Sequence, residues 1–502
     1  MDLSHNHDNQ VILDFSDKLQ VNINHLEQLF DNCNDYIKRK LTIGGINKAD
    51  VYLAYTDNMV DRTLLEYSII KNLLFKMENM PVEGKYEHII KYGLQTADFK
   101  EVLTMDDVSQ SVISGDVVLL IDGYQKGIAI SLKNFPGRGV PEVDAEVTIK
   151  GPKDSFAESI AINTVLIRRR IKDTHLKMEP LQIGIRSRTS VTLAYISGIA
   201  DDELIEEVKR RFDSFVIDGV FDIGMLEQLT EKAWYSPFPQ YQSTERPDKA
   251  ASALMEGRIA VIVDNSPMVL LLPVTINSFF QASDDYYRSW QIASFMRILR
   301  YIGGFFAVTL PALYIAVCNY QLEMIPTPLV LSFAAARQGV PFSILMEVII
   351  LLLAFELLTE AGIRLPSPMG NTIGIVGGLI IGDAAISANL VSPLVVIVVA
   401  FTAIASFTIP NETFTTALRI SRYLMIALAA ILGLFGIVIG IMLLFIHLAG
   451  LKSFGIPYLS PIAAKSNEDG TIRDSIIKYP IFKMKNRPIY ANKDEKVRFK
   501  EK

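Results

Sequence analysis

The chain has 502 residues, half of them hydrophobic, and a formal net charge of −6. That length exceeds one ordinary soluble domain, and the acidic balance lacks the basic footprint of a nucleic-acid binder, which excludes nucleic acid as a partner. The mean hydropathy of +0.27 averages two unlike parts: a charged, mixed stretch up to about Trp290, and a run from Tyr301 to Ala449 in which charge nearly vanishes.

Residues 1–30 form a variable segment with no basic start and apolar run, so no cleavable signal is read there and the large N-terminal part is expected in the cytoplasm. Cys33 lies in a charged stretch and Cys318 in an apolar one, a placement that suggests neither disulfide nor metal site. A first α/β subdomain is expected over 31–135. VYLAY at 51–55 reads as a strand and 60–77 as a helix. Residues 116–133 read as two strands joined at Asp122-Gly123, a favourable hairpin pair. The breaker-rich NFPGRGVPE at 134–142 reads as a hinge.

A second α/β subdomain is expected over 136–264. Strands are read at 189–199 and 258–264. Between them, 201–212 is an amphipathic helix capped by Asp201 or Asp202, with Leu204, Ile205, Val208 and Phe212 on one face. Strands alternating with helices indicate an α/β sheet domain, long enough that a fragment ending near Asp264 is expected to fold by itself. Residues 265–300 read as a membrane-dipping and interfacial segment. Pro267 and Pro273 interrupt 265–280, which is buried or dips into the bilayer. In 283–301, Tyr286, Tyr287 and Trp290 mix with Arg288, Arg297 and Arg300, which suits a helix at the membrane surface.

Five apolar segments follow at 301–318, 342–358, 373–391, 394–409 and 424–449, giving a transmembrane helical domain over 301–449. The tail, 450–502, carries twelve Lys/Arg against six Asp/Glu. Basic residues at both ends favour the cytoplasm for both, whereas five full crossings would part them, so either one segment is re-entrant or the tail departs from the positive-inside rule, and an even number of crossings is favoured. The expected class is therefore an α/β soluble N-terminal domain of two subdomains, followed by an α-helical multi-pass membrane domain.

Several ordered phrases carry a family likeness: SLKNFPGRGVPEVDAEVTIKGPKDSFAESIAINTVLIRRRI at 131–171, SPFPQYQSTERPDKAASALMEGRIAVIVDNSP at 236–267, SPMGNTIGIVGGLIIGDAAISANLVSP at 367–393 and VAFTAIASFTIP at 399–410. From about residue 30 to 465 the chain resembles the A subunits of the bacterial spore germination receptor (GerA) family. The resemblance implies one subunit of a complex in the spore inner membrane, with a transporter-like B subunit and a lipoprotein C subunit as partners. Nutrient germinants bind such complexes and trigger ion release. It also implies that the A subunit forms a homo-oligomer and an ion-conducting path in membrane lipid.

Gly370, Gly374, Gly378 and Gly382 recur every four residues, which lets another backbone approach one helix face, from within the chain or from another protomer. Asp383 follows. A charge at mid-membrane costs about 2.5–3.5 kcal/mol, so it faces a partner, water or an ion path, or else ends a broken helix. Glu347 and Glu356 fall on opposite faces of 342–358, so no single polar stripe crosses the bilayer; they are pore or interface carboxylates. Arg168, Arg169 and Arg170 could meet an acidic partner or a lipid head group, or form a solvated face. Arg138 could recognise an anion or belong to the hinge. No zincin, phosphate-loop or paired-cysteine motif occurs, so neither enzyme activity, metal nor cofactor is expected. Three readings remain open: a nutrient-gated receptor and channel subunit, a transporter-like or lipid-handling protein with a cytoplasmic sensor domain, and a non-conducting assembly scaffold.

Overall fold

Alternating apolar and β-branched runs build two five-stranded sheets in the first half of the computed structural model, which describes residues 15–96, 98–135, 146–364, 382–461, 474–492 and 495–499. The chain divides into two units. One comprises Met1–Glu231, Tyr241–Pro273 and Asn486–Lys502; the other comprises Lys232–Gln240 and Val274–Lys485.

In the first unit, β1 (Tyr36–Ile43) pairs with β2 (Ala49–Thr56), β2 with β4 (Asp116–Ile121), β4 with β5 (Gly127–Ser131), and β5 with β3 (Phe99–Val102). The second sheet repeats this order with β6 (Leu176–Ile183), β7 (Thr189–Ile196), β9 (Ile259–Val263), β10 (Val269–Leu272) and β8 (Gln242–Thr244). Every pairing is antiparallel. The α/β class holds, and the hairpin at Asp122-Gly123 forms as expected, with Gly123 at φ 87.

The two sheets are a tandem duplication that the sequence reading missed. The register Tyr36↔Thr56 recurs 140 residues on as Leu176↔Ile196. Gly44 and Gly184, which open the matching β-turns, share φ +94, a conformation that favours glycine. In the first repeat, Asp122 Oδ1 accepts from the N–H of Leu19, where α1 (Leu19–Leu29) begins, at 3.0 Å. In the second, Asp264 Oδ1 accepts from the N–H of Ile160, where α3 (Ile160–Arg168) begins, at 3.1 Å. Buried Asn22 bonds both backbone groups of Ser16, and buried Asn163 does the same to Ala157. Each such carboxylate or amide satisfies backbone groups that would otherwise be orphaned at a helix start. The residue signal is thin: VYLAY against VTLAY in β2 and β7, and Phe15 and Asn22 against Phe156 and Asn163.

The remaining helices cover these sheets: α2 (Met105–Ile113), α4 (Asp202–Phe212), α5 (Ile223–Thr230) and α6 (Pro247–Met255). Asp201 caps α4 by accepting from Glu203 N–H at 2.9 Å, and Leu204, Ile205, Val208 and Phe212 are buried as read. The helix read at 60–77 is observed over 62–75, with a π-helical stretch at Leu65–Ile70. Most of 265–280 is buried, and 269–272 are β10, a strand between β9 and β8 rather than a membrane-dipping stretch, so a boundary at Asp264 cuts a sheet. Arg246, wholly buried on the N-terminal side of α6, ties down the strap 146–152 through Thr148 Oγ1 at 2.8 Å, the Pro152 carbonyl at 2.9 Å and the Glu146 carbonyl at 3.2 Å. That clamp joins two of the phrases that carry the family likeness.

In the second unit the helices are α7 (Trp290–Tyr320), α8 (Thr327–Ala336), α9 (Ile344–Arg364), α10 (Pro393–Phe407), α11 (Glu412–Leu432) and α12 (Leu434–Gly450). α7 and α11 are long and apolar enough to cross a membrane. An aromatic cluster anchors one end, where Phe279 stacks on Phe414 at 5.1 Å and Phe280 on Tyr301 at 4.2 Å. The surface helix expected at 283–301 is instead mostly the first part of α7, about 46 Å long at 1.5 Å per residue. The last apolar segment, read as one ample span, is two helices broken at Gly433, whose φ 62 and ψ −139 only glycine adopts readily.

Candidate membrane site

Apolar helices give their charged residues no water, so each charge must find a partner within the protein. Glu347 on α9 is wholly buried. Its Oε1 accepts from Arg337 Nη2 at 3.3 Å, and its Oε2 accepts from the backbone N–H of Ser392, the residue before α10, at 2.8 Å. Glu356, nine residues on, faces α11: its Oε1 accepts from Arg422 Nη2 at 2.5 Å and its Oε2 from Arg419 Nη1 at 3.5 Å. The two glutamates thus meet different partners, and each carboxylate is neutralised by arginine. The sequence reading missed all three arginines. Arg419 and Arg422 carried a signal, since they lie three residues apart and share a face of an otherwise apolar helix.

At the start of α7, Arg297 and Arg300 belong to an ion cluster within the protein. Arg297 is wholly buried; its Nε donates to Asp285 at 3.0 Å and its Nη1 to Asp474 at 2.6 Å. Arg300 donates to the same Asp285 oxygen at 2.7 Å, and Lys478 Nζ donates to the Asp285 carbonyl at 2.6 Å. Burial pushes the Lys478 ammonium down from its ordinary value. Three cations around two carboxylates lock Asp285 and the 474–478 segment to the foot of the helix.

At the far end of α7, the Tyr320 hydroxyl donates to the carbonyls of Ala430 and Ile431, the latter at 3.3 Å, where α11 loses its own ladder. The Tyr320 ring lies against Gly433, where a Cβ would meet ring and side-chain carbons at 3.1–3.2 Å. Gly440 packs against Met425, so α12 folds back along α11.

Gly370, Gly374, Gly378 and Arg138 lie outside the described residues. Gly382 is half-buried, and a Cβ there would meet Val396 Cγ1 at an ordinary 3.7 Å. Asp383 is exposed and makes no hydrogen bond or ion pair among the described residues. In the soluble unit, Arg168 is consumed by a bidentate pair with Asp35, Arg170 by Asp154 at 2.7 Å, and Arg169 lies over the Phe135 ring at 5.3 Å. Both cysteines are free thiols, and no group of three or more metal-ligating side chains is assembled among the described residues.

The fold and these paired charges define a duplicated α/β domain joined to an apolar helical domain of membrane-spanning character. A family model described as Bacillus/Clostridium GerA spore germination protein matches residues 24–490. The chain belongs to that family. It is 38% identical to the uncharacterized membrane protein YfkQ of Bacillus subtilis (strain 168), over 94% of this chain and 91% of that one. It is 36% identical to spore germination protein KA of the same organism, over 96% and 88% of the two chains, and 40% identical to its spore germination protein B1, over 79% and 82%. The crystal structure of the N-terminal domain of the A subunit of the Bacillus megaterium spore germinant receptor GerK3 aligns with 52% of this chain and 97% of that one, at 27% identity and a TM-score of 0.40.

Proposed function

We propose that the chain is the A subunit of a nutrient-germinant receptor in the spore inner membrane. In this reading it works with a transporter-like B subunit and a lipoprotein C subunit, and copies of it assemble around an ion-conducting path. The family match across 24–490 carries the germination role. The membrane geometry supports the finer reading. Glu347 and Glu356 are neutralised by arginines and serve packing, while Asp383 is left exposed beside a small-residue face, available to a pore or a second protomer.

The membrane path is proposed to have an even number of crossings, with the soluble domain and the tail both cytoplasmic. α7 and α11 run the same way, as Phe280 meets Phe414 near one end and Tyr320 meets Ala430 near the other. α9 and α10 run side by side, as Glu347 meets Ser392 and Phe355 meets Phe407, and opposite to α7, whose Gly303 lies against Ala405 at the far end of α10. α12 folds back beside α11 and returns the chain to the side on which α11 begins. The tail agrees, since Ala491 bridges to Ala200 and the Asn492 N–H donates to Ile199 at 2.8 Å, both in the soluble unit.

The test is germinant-triggered ion release measured beside complex abundance in spores carrying Asp383→Asn. Normal abundance with altered release or altered pH dependence is expected. Normal abundance with unchanged release removes Asp383 from the path, and full nutrient response after deletion of the B or C subunit sinks the subunit reading.

A further inference from the structure

The two repeats do not merely lie in one chain; they dock asymmetrically. The segment Asn32–Asn34 of the first repeat lies along the outer edge of β6 in the second. The Asn34 N–H donates to the Met178 carbonyl and the Met178 N–H to the Asn32 carbonyl, both at 3.2 Å. Asp35, next along, closes the joint by its bidentate pair with Arg168 on α3, at 2.7 and 2.9 Å. A loop of one repeat thus covers a sheet edge and a helix of the other.

Because the repeats share a fold, each half of this joint has an unused counterpart. Asp35 corresponds to His175: the Asp57 N–H donates to the Asp35 carbonyl, as the Ser197 N–H does to that of His175. Arg168 lies five residues after Asn163, and Glu27 lies five after Asn22. Met178 corresponds to Lys38 in the β1–β2 register, and Cys33, which bridges to Met178, corresponds to Asp173.

Substituting counterparts turns the Asp35–Arg168 pair into His175–Glu27, base and acid exchanged, and the backbone-bridged, uncharged pair Cys33–Met178 into Asp173–Lys38, opposite in charge. The side chains in the joint are buried, Arg168 at 2% and Asp35 at 12% exposed. The counterparts are open: Glu27 42%, Lys38 51%, Asp173 44% and His175 58%. Each open surface meanwhile satisfies itself, Lys38 with Glu27 and Asp173 with His175 at 2.8 Å. The Asp173 carboxylate, by that hydrogen bond, raises His175 toward its charged form. Among the described residues no strand pairs with the outer edge of β1, the kind of edge that accepts another chain. The second loop is one residue shorter between helix and strand, so the side-chain pairs, more than the main-chain ladder, define the match.

We propose that these leftover surfaces bind each other between two copies of the chain, head to tail: the Asp173–His175 loop of one copy docks on Lys38 and Glu27 of the next, repeating the contact made within each chain. Such a heterologous contact generates a ring when its rotation closes. The inference rests on the homo-oligomeric reading above and gives it a surface.

The test uses the full chain in membranes, with Lys38→Cys on one tagged copy and Asp173→Cys on a second, co-expressed. Neither copy can form the designed pair alone, so mild oxidation should give a mixed covalent dimer and neither variant by itself should. Glu27→Lys should weaken assembly at least tenfold, and adding His175→Glu should restore it. An oligomer that gives no mixed dimer and ignores Glu27→Lys overturns this surface while leaving the oligomer reading intact. A monomeric wild-type chain overturns both. Cross-linking of the Lys38→Cys copy to a B or C subunit instead also overturns the proposal.

Discussion

The two repeats of the soluble domain carry one fold on two largely different sequences, and the positions they keep are those the backbone demands. The matched glycines at φ +94, the aspartates that receive a helix start and the asparagines that clasp the preceding chain recur. What differs is outward. After β2, the helical stretch 62–75 exposes Leu64, Tyr67, Leu74 and Phe75, whereas after β7 the matching α4 exposes Glu203, Glu206 and Arg210. Duplication preserved satisfied backbone groups and let the surfaces diverge, as expected when an unpaired buried polar group costs more than an altered exposed one.

The most severe way to break the parity of the repeats is to cut one sheet. A fragment ending at Asp264 loses β10 from between β9 and β8. We expect its first repeat to fold and its second to be molten, whereas a fragment ending at Pro273 is ordered in both, as read by amide dispersion in NMR spectra. Equal order in the two fragments would show that β10 is dispensable.

Next is the joint. Arg168→Ala leaves Asp35 buried without its cation, and breaking one side of a buried pair costs about 3–5 kcal/mol. Denaturant unfolding should change from one transition to two as the repeats uncouple. A single unshifted transition would mean that the joint contributes nothing.

Parity itself can be measured. Asn22→Leu and Asn163→Leu each strip the clasp from two backbone groups, at about 1–3 kcal/mol. The two losses should agree within experimental error, and a large inequality would show that the clasps have diverged in role.

The smallest effect concerns Glu227 on α5, whose carboxyl is pushed up to about 7 by burial and by nearby Glu231. The folded state holds this proton more tightly than the unfolded chain does. The resulting stabilisation is complete below the ordinary carboxylate range and fades as pH rises through about 7. Glu227→Gln should flatten the loss of stability between pH 5 and 8 by about 1–2 kcal/mol. An unchanged slope would assign the pH dependence elsewhere.

Residue order alone determined the class of each half: short apolar runs, a turn pair and an amphipathic pattern placed β2, β4, β5, β7, β9 and α4, and apolar length located the membrane helices. These are local signals, set by side chains a few positions apart. Only the tertiary structure decided what each charge does, because the partners are remote in sequence: Glu347 finds Ser392 45 residues away, Glu356 finds Arg422 66 away and Arg297 finds Asp474 177 away. It likewise turned 269–272 from a membrane-dipping candidate into a strand, because a buried strand and a short membrane segment are equally apolar. It broke the last apolar run at Gly433, where the fold-back requires a backbone conformation that hydropathy does not register. It also made the duplication visible, since hydrogen bonds to main-chain atoms tolerate almost any change in the side chains around them.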